Sequence, residues 1–128
     1  MNAVISNGAS IRKAMIRELS QKIFRHMCGE VHKLGFAAND VKLRVPDQAV
    51  YRLERGPASN EYSLVGDWLD ERGFKLGTLL FHADGTFFVE QDIVRQHPRK
   101  AKWFVEAVSA WGRNEKIKVE ARLIPMPE

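Results

Sequence analysis

Residues 62–93 read YSLVGDWLDERGFKLGTLLFHADGTFFVEQDI, three aromatic-rich and β-branched runs separated by Asp70-Glu71-Arg72-Gly73 and by Ala83-Asp84-Gly85. Runs of this composition favour extended backbone, and the Gly- and Asp-rich breaks between them favour tight turns. Connections of three or four residues cannot carry a parallel crossover, so the stretch predicts a three-stranded antiparallel meander.

Asp84-Gly85 sets the register of its second hairpin. A two-residue turn, with positive φ tolerated at both positions, pairs Ala83 with Thr86, Leu80 with Val89 and Leu76 with Ile93. One face then carries Phe74, Leu76, Leu80, Phe87, Val89 and Ile93, and the other Lys75, Leu79, Phe81, Phe88, Glu90 and Asp92. A type I turn with a bulge at Gly85 shifts the pairing by one residue and sets Phe87 and Val89 beside Leu79 and Phe81. The first register separates apolar from polar more cleanly and is the expected one, with its first face as core.

Upstream, Ile16, Leu19, Ile23, Met27, Val31 and Leu34 recur at spacings of three and four with Arg and Lys between them. This predicts an amphipathic helix from Ser10, as N-cap, to Leu34, stopped by Gly35, with Gly29 as a point where it could kink. Residues 1–9 are expected to be a flexible lead-in. Val41, Leu43 and Val45 alternate with Lys42 and Arg44 and predict a short edge strand before Pro46-Asp47. Val50 to Arg55 predicts another, closed by the turn cluster Gly56-Pro57-Ala58-Ser59-Asn60.

Downstream, Ala101, Phe104, Val105, Val108 and Trp111 fall on one helical stripe, with Pro98 at the first turn and Gly112 past the end. This predicts a second helix over Pro98–Trp111. Ile117, Val119, Ala121 and Leu123 alternate with charged residues and predict a last strand, followed by a short tail over 125–128. The expected fold is a single α+β domain over residues 1–128. It contains an antiparallel sheet of five to six strands and two helices, in the order helix, five strands, helix, strand, with the helices mainly on one sheet face.

Composition fits this class. Hydrophobic residues at 45% and charged residues at 28% are ordinary globular values, and no apolar run approaches the roughly 20 residues of a membrane helix. The first ten residues lack the apolar stretch of a signal peptide, and a single Cys28 cannot form an internal disulfide, so a cytoplasmic location without membrane contact is expected. The net charge of +4 is unevenly spread: residues 58–94 carry two Lys/Arg against seven Asp/Glu, and residues 95–128 eight against four. Such a split suits an anionic partner or a second copy of the chain.

Two surfaces emerge as candidates. Arg95, His97, Arg99, Lys100 and Lys102 gather at the start of the expected second helix, where the dipole disfavours cations and a bound anion such as phosphate would explain them. Nucleic acid is one such partner, although Trp103 alone is an aromatic spared from the helical stripe and no nucleic-acid-binding motif is present. Leu79, Phe81 and Phe88 form an apolar patch on the sheet face opposite the expected core, with Tyr62 and Trp68 on the adjoining strand, and suit dimerisation or a protein partner.

Cys28 with His32, and His26 with Glu30, have helical ligand spacing, but a pair is not a metal site, and no metal is expected. His82, Asp84, Glu90 and Asp92 hold acid-base chemistry on the meander without any recognisable catalytic motif, so no catalytic residue and no cofactor is expected. The leading expectation is a non-enzymatic interaction domain that self-associates through a sheet face or an edge strand. Anion binding comes second and a small enzyme third.

Overall fold

The computed structural model describes residues 2–56 and 61–127, with residues 2–13 by backbone alone. A helix, α1 (Asn2–Lys33), is followed by six strands: β1 (Val50–Arg55), β2 (Tyr62–Leu69), β3 (Lys75–Phe81), β4 (Thr86–Gln96), β5 (Trp103–Arg113) and β6 (Lys116–Pro125). Every strand pairs antiparallel with its neighbours in sequence, so the sheet order is β1-β2-β3-β4-β5-β6. The class is α+β, with one sheet and one α-helix among the described residues.

The helix forms where its apolar stripe requires it. Ile23, Met27 and Val31 are fully buried against the sheet, and Ile16 and Leu19 extend the contact. It runs unbroken through Gly29 and begins at Asn2, which places Ser10 inside it rather than at its cap. Thirty-two residues at a rise of 1.5 Å make it about 48 Å long. Gly35 ends it with φ of 100°, its N–H donating to the His32 carbonyl at 2.9 Å.

The second expected helix is a strand. Over Pro98–Trp111 the chain makes a turn and then β5, and its three- and four-residue spacing comes from a bulge. The β5–β6 register shifts between Val105 and Val108. In a regular strand, residues three apart face opposite sides, but the extra residue returns both valines to the helix side, where both are completely buried. Phe104 and Trp111, given to the same stripe by the helical reading, stand apart from that core. Beside this bulge β4 carries its own, between Asp92 and Arg95, with Val94 at φ 48°.

The β3–β4 register is the bulged alternative. Phe81 pairs with Phe87, Leu80 with Phe88 and Leu79 with Val89. Gly85, at φ 91°, donates its N–H to the His82 carbonyl, and Asp84 fixes the turn by accepting from both the N–H and the hydroxyl of Thr86. One residue of slip exchanges the faces: Leu79, Phe81, Phe87 and Val89 line the helix-side core, and Leu80 and Phe88 face away.

Residues 41–45 pair with no strand. They cross over the core face, where an extended chain has no free sheet edge to join. Leu43 is buried, and the amide of Gln91 takes the place of a ladder partner: its Oε1 accepts the Arg44 N–H at 2.6 Å and its Nε2 donates to the Arg44 carbonyl at 3.0 Å. Trp68 is buried beneath the same segment and donates its indole N–H to the Val45 carbonyl at 2.9 Å. A 3-10 turn, Pro46–Gln48, then leads into β1, and the Tyr51 hydroxyl donates to the Pro46 carbonyl. Burial, reinforced by Asp47, pushes the Tyr51 phenol up to about 12. The expected turn at Gly56–Asn60 falls largely outside the described residues; at its margins the Gly56 N–H bonds to the Glu61 carbonyl.

Candidate functional site

With α1 and residues 36–49 on one side of the sheet, no described element covers the other. The pairing fixes what that open face shows. Its central rung runs Arg52, Val65, Leu80, Phe88, Trp111, Lys118 across all six strands. Val65 is buried by its neighbours, Leu80 and Trp111 are half-buried, and Phe88 is 41% exposed. None of the four belongs to the helix-side core. An apolar band of two aromatics and two aliphatics thus crosses the middle of the sheet.

Charged rungs flank it. On one side the pairing aligns Asp67, Thr78, Glu90, Ser109 and Glu120. Asp67 is the most constrained of these: Thr78 Oγ1 donates to it at 3.0 Å, Lys75 Nζ lies 3.2 Å away, and Arg52 contacts it directly. Partial burial alone would raise its carboxyl, but the Arg52, Lys75 and Thr78 hydrogen bonds outweigh this and hold it below the usual carboxylate range. Ser109 Oγ donates to Glu90 Oε2 at 3.1 Å. On the other side lie Glu54, Ser63, His82, Thr86, Arg113 and Lys116; the first of these pairs with Arg52, and the rung is otherwise neutral or basic.

The expected patch of Leu79, Phe81 and Phe88 is divided by the register. Leu79 and Phe81 are core, at 1% and 5% exposure, as is Trp68; Phe88 alone stays outside. Its companions on the open face are Val65, Leu80 and Trp111, which the sequence reading missed. Trp111 was hidden by the helical reading of residues 98–111, and Leu80 by the two-residue turn.

The basic cluster stands in a different setting from the one expected. There is no helix start at Pro98; instead the β4–β5 turn lies against the C-terminal end of α1. His97 is 3% exposed and tilted against the Phe36 ring at 4.9 Å. Its Nδ1 accepts from the Arg99 and Lys100 N–H groups at 3.0 Å each, which fixes the tautomer with the proton on Nε2 for donation to the Leu34 carbonyl at 2.9 Å. Arg99 donates to the Gly35 carbonyl. Both residues satisfy carbonyls just past the helix C-terminus, and the Arg99 cation also complements its dipole, so the two support the helix. Lys100 and Lys102 are exposed in the turn. Arg95 is separate from them, in a cleft of about 200 Å³ shared with Lys42, Arg44, Asp92 and the apolar Val41, Leu43, Leu76 and Ile93.

The residues weighed for acid-base chemistry are dispersed. His82 shares a 2.8 Å hydrogen bond with Ser63, Asp84 holds its turn, Glu90 takes the Ser109 hydroxyl, and Asp92 borders the cleft. Hydrogen bonds from Thr86 lower the Asp84 carboxyl, with Arg113 and His82 adding to the effect. His26 and His32 are each engaged through Nδ1 with a backbone carbonyl, and burial pushes the Cys28 thiol up. No group of three or more metal-ligating side chains comes together among the described residues. No described helix is long and apolar enough to cross a membrane.

Comparison with family models, with curated proteins and with solved structures finds no match.

Proposed function

We propose that this protein is a non-enzymatic interaction domain that self-associates through the open face of its sheet. The supporting observation is the rung Val65–Leu80–Phe88–Trp111, an apolar band with no described element over it. Sheets that keep one face in water normally alternate to polar side chains on that face, and this one does so on both flanking rungs but not at its centre. The edges are less suited to pairing. β1 carries Arg52, Glu54 and Arg55, and β6 carries Lys118, Glu120 and Arg122 and ends on Pro125, which are features that discourage strand addition.

Light scattering over a concentration series tests the reading. A mass that rises toward twice the monomer, and returns to the monomer for Phe88→Lys, is the expected result. Phe88 contributes nothing to the helix-side core, so the variant keeps its fold and its circular dichroism. A wild-type chain monomeric at every concentration would remove the proposal. A second reading, binding of a small organic anion, draws on the Lys42, Arg44 and Arg95 cleft; its test is a salt-sensitive shift of amide resonances from residues 41–44 and 91–95 on adding a carboxylate with an apolar tail.

A further inference from the structure

Resting on self-association through the open face, we infer that two copies stack face to face about a two-fold axis lying along the rung Val65–Leu80–Phe88–Trp111. The charge layout selects this axis. The acidic residues Asp67, Glu90 and Glu120 lie on one side of the rung, and the basic residues His82, Arg113 and Lys116, with Glu54 as the one acid among them, on the other. Rotation by 180° about the rung carries each side of one copy over the opposite side of its partner, so Glu120 faces the partner's Lys116, and Glu90 and Asp67 lie one strand away from its Arg113 and His82. A two-fold axis parallel to the strands lays the rung of Asp67, Glu90 and Glu120 over its own copy, which opposes association, and offers in return only Glu54 opposite Lys116.

The same rotation keeps each strand over its counterpart. Phe88 and Trp111 then meet their own copies on the axis, and Glu120 of β6 lies over the partner's Lys116, because both occupy the same strand at equal distances from the rung. Arg52 and Lys118, the like charges that end the rung, sit on the two edge strands: Arg52 is neutralised by Glu54 and Asp67 of its own copy, and Lys118 stands at the exposed rim, where water screens it. Six strands about 4.8 Å apart and eight residues at about 3.4 Å give a face of roughly 650 Å² in plan, close to the ~800 Å² per partner that stable interfaces bury.

Cysteine pairs read out the axis. In a Cys28→Ser background, Glu120→Cys and Lys116→Cys chains are treated with a short bis-maleimide separately and as an equal mixture. The expected result is a cross-linked dimer formed several-fold faster in the mixture than in either alone, with Phe88→Cys cross-linking to itself. The wild-type dimer should also loosen as salt rises, since screening removes attraction between opposed charges. If Glu120→Cys cross-links to itself as well as to Lys116→Cys, or if salt tightens a dimer that Phe88→Lys still disperses, the axis is wrong and the open face stands. A dimer indifferent to Phe88→Lys, or a chain that never dimerises, overturns the axis and the underlying reading together.

Discussion

Replacing Gln91 by Leu tests how the segment before β1 is held on the sheet. The side chain is 3% exposed and gives its two polar ends to one residue, the acceptor to the Arg44 N–H and the donor to the Arg44 carbonyl. Leu has nearly the same volume, so packing around the position changes little, but it leaves both backbone groups without a partner beneath the segment. Each buried unpaired group costs about 1–3 kcal/mol. The cleft beside Arg44 lets water recover part of this, and the added apolar surface offsets roughly 1 kcal/mol more. A net loss of about 2–3 kcal/mol follows, or about 6–15 °C in Tm for a chain of this size. Urea unfolding followed by Trp fluorescence is the assay, since Trp68 lies under the same segment through its bond to Val45. Gln91→Glu should lose more at neutral pH, because it sets a carboxylate against the Arg44 carbonyl. A loss below about 0.5 kcal/mol for Gln91→Leu, within the range of ordinary surface substitutions, would show that the segment does not depend on the Gln91 amide.

The remaining predictions concern the helix end, the open face and the β4 bulge. His97→Ala removes the bond to the Leu34 carbonyl and the acceptor for two turn N–H groups, and should cost about 2–4 kcal/mol by chemical denaturation. Gly35→Ala should be destabilising for the same junction, since a Cβ there would lie 2.8 Å from His97 Nε2 on a backbone at φ 100°. Because Asp67 is held below its ordinary value, the stability from its ion pairs is complete above about pH 4 and drains as pH falls through the lower folded-state value. Asp67→Asn should therefore flatten the acid limb of a stability–pH curve while lowering stability at neutral pH. Val94→Gly should raise stability by about 1 kcal/mol in the same denaturation assay, because a β-branched residue at φ 48° is strained and glycine is not.

Much of this fold could be read from residue patterns because most elements keep one period throughout. The helix stripe from Ile16 to Val31, the limits of β1 and β2, and the alternation of β6 all follow from it. The sequence reading failed where a period is interrupted. In β5 a single extra residue between Val105 and Val108 converts an alternating strand into helical spacing, and the Pro98 and Gly112 that flank it resemble helix boundaries. At Gly85 both turn types satisfy the same Asp-Gly pair, and only the packing of Phe81 and Phe87 against the helix side separates them. Residues 41–45 have the amphipathic alternation of a strand but lie across the core, and alternation reports which side is buried, not whether a neighbour is hydrogen-bonded. The open face inherited these errors. Phe88 was legible as an outward aromatic in either register, whereas Leu80 and Trp111 required the two bulges. Gln91 did leave a signal, as the one polar residue in the series Phe87, Val89, Gln91 on the core face of β4.

The helix is made first and used last. Each hairpin of the meander needs only the strand before it, so the sheet can assemble in chain order through local pairings. The helix, however, rests on β5 and β6, with Lys22 reaching Glu115 at the hairpin between them. Most of the seat for its apolar stripe is therefore missing until the chain has been made past residue 116, roughly 80 residues after the helix itself ends. In a cell the interval between making the stripe and burying it is the stage at which this chain is most exposed to chaperones and to misassembly with other unfinished copies.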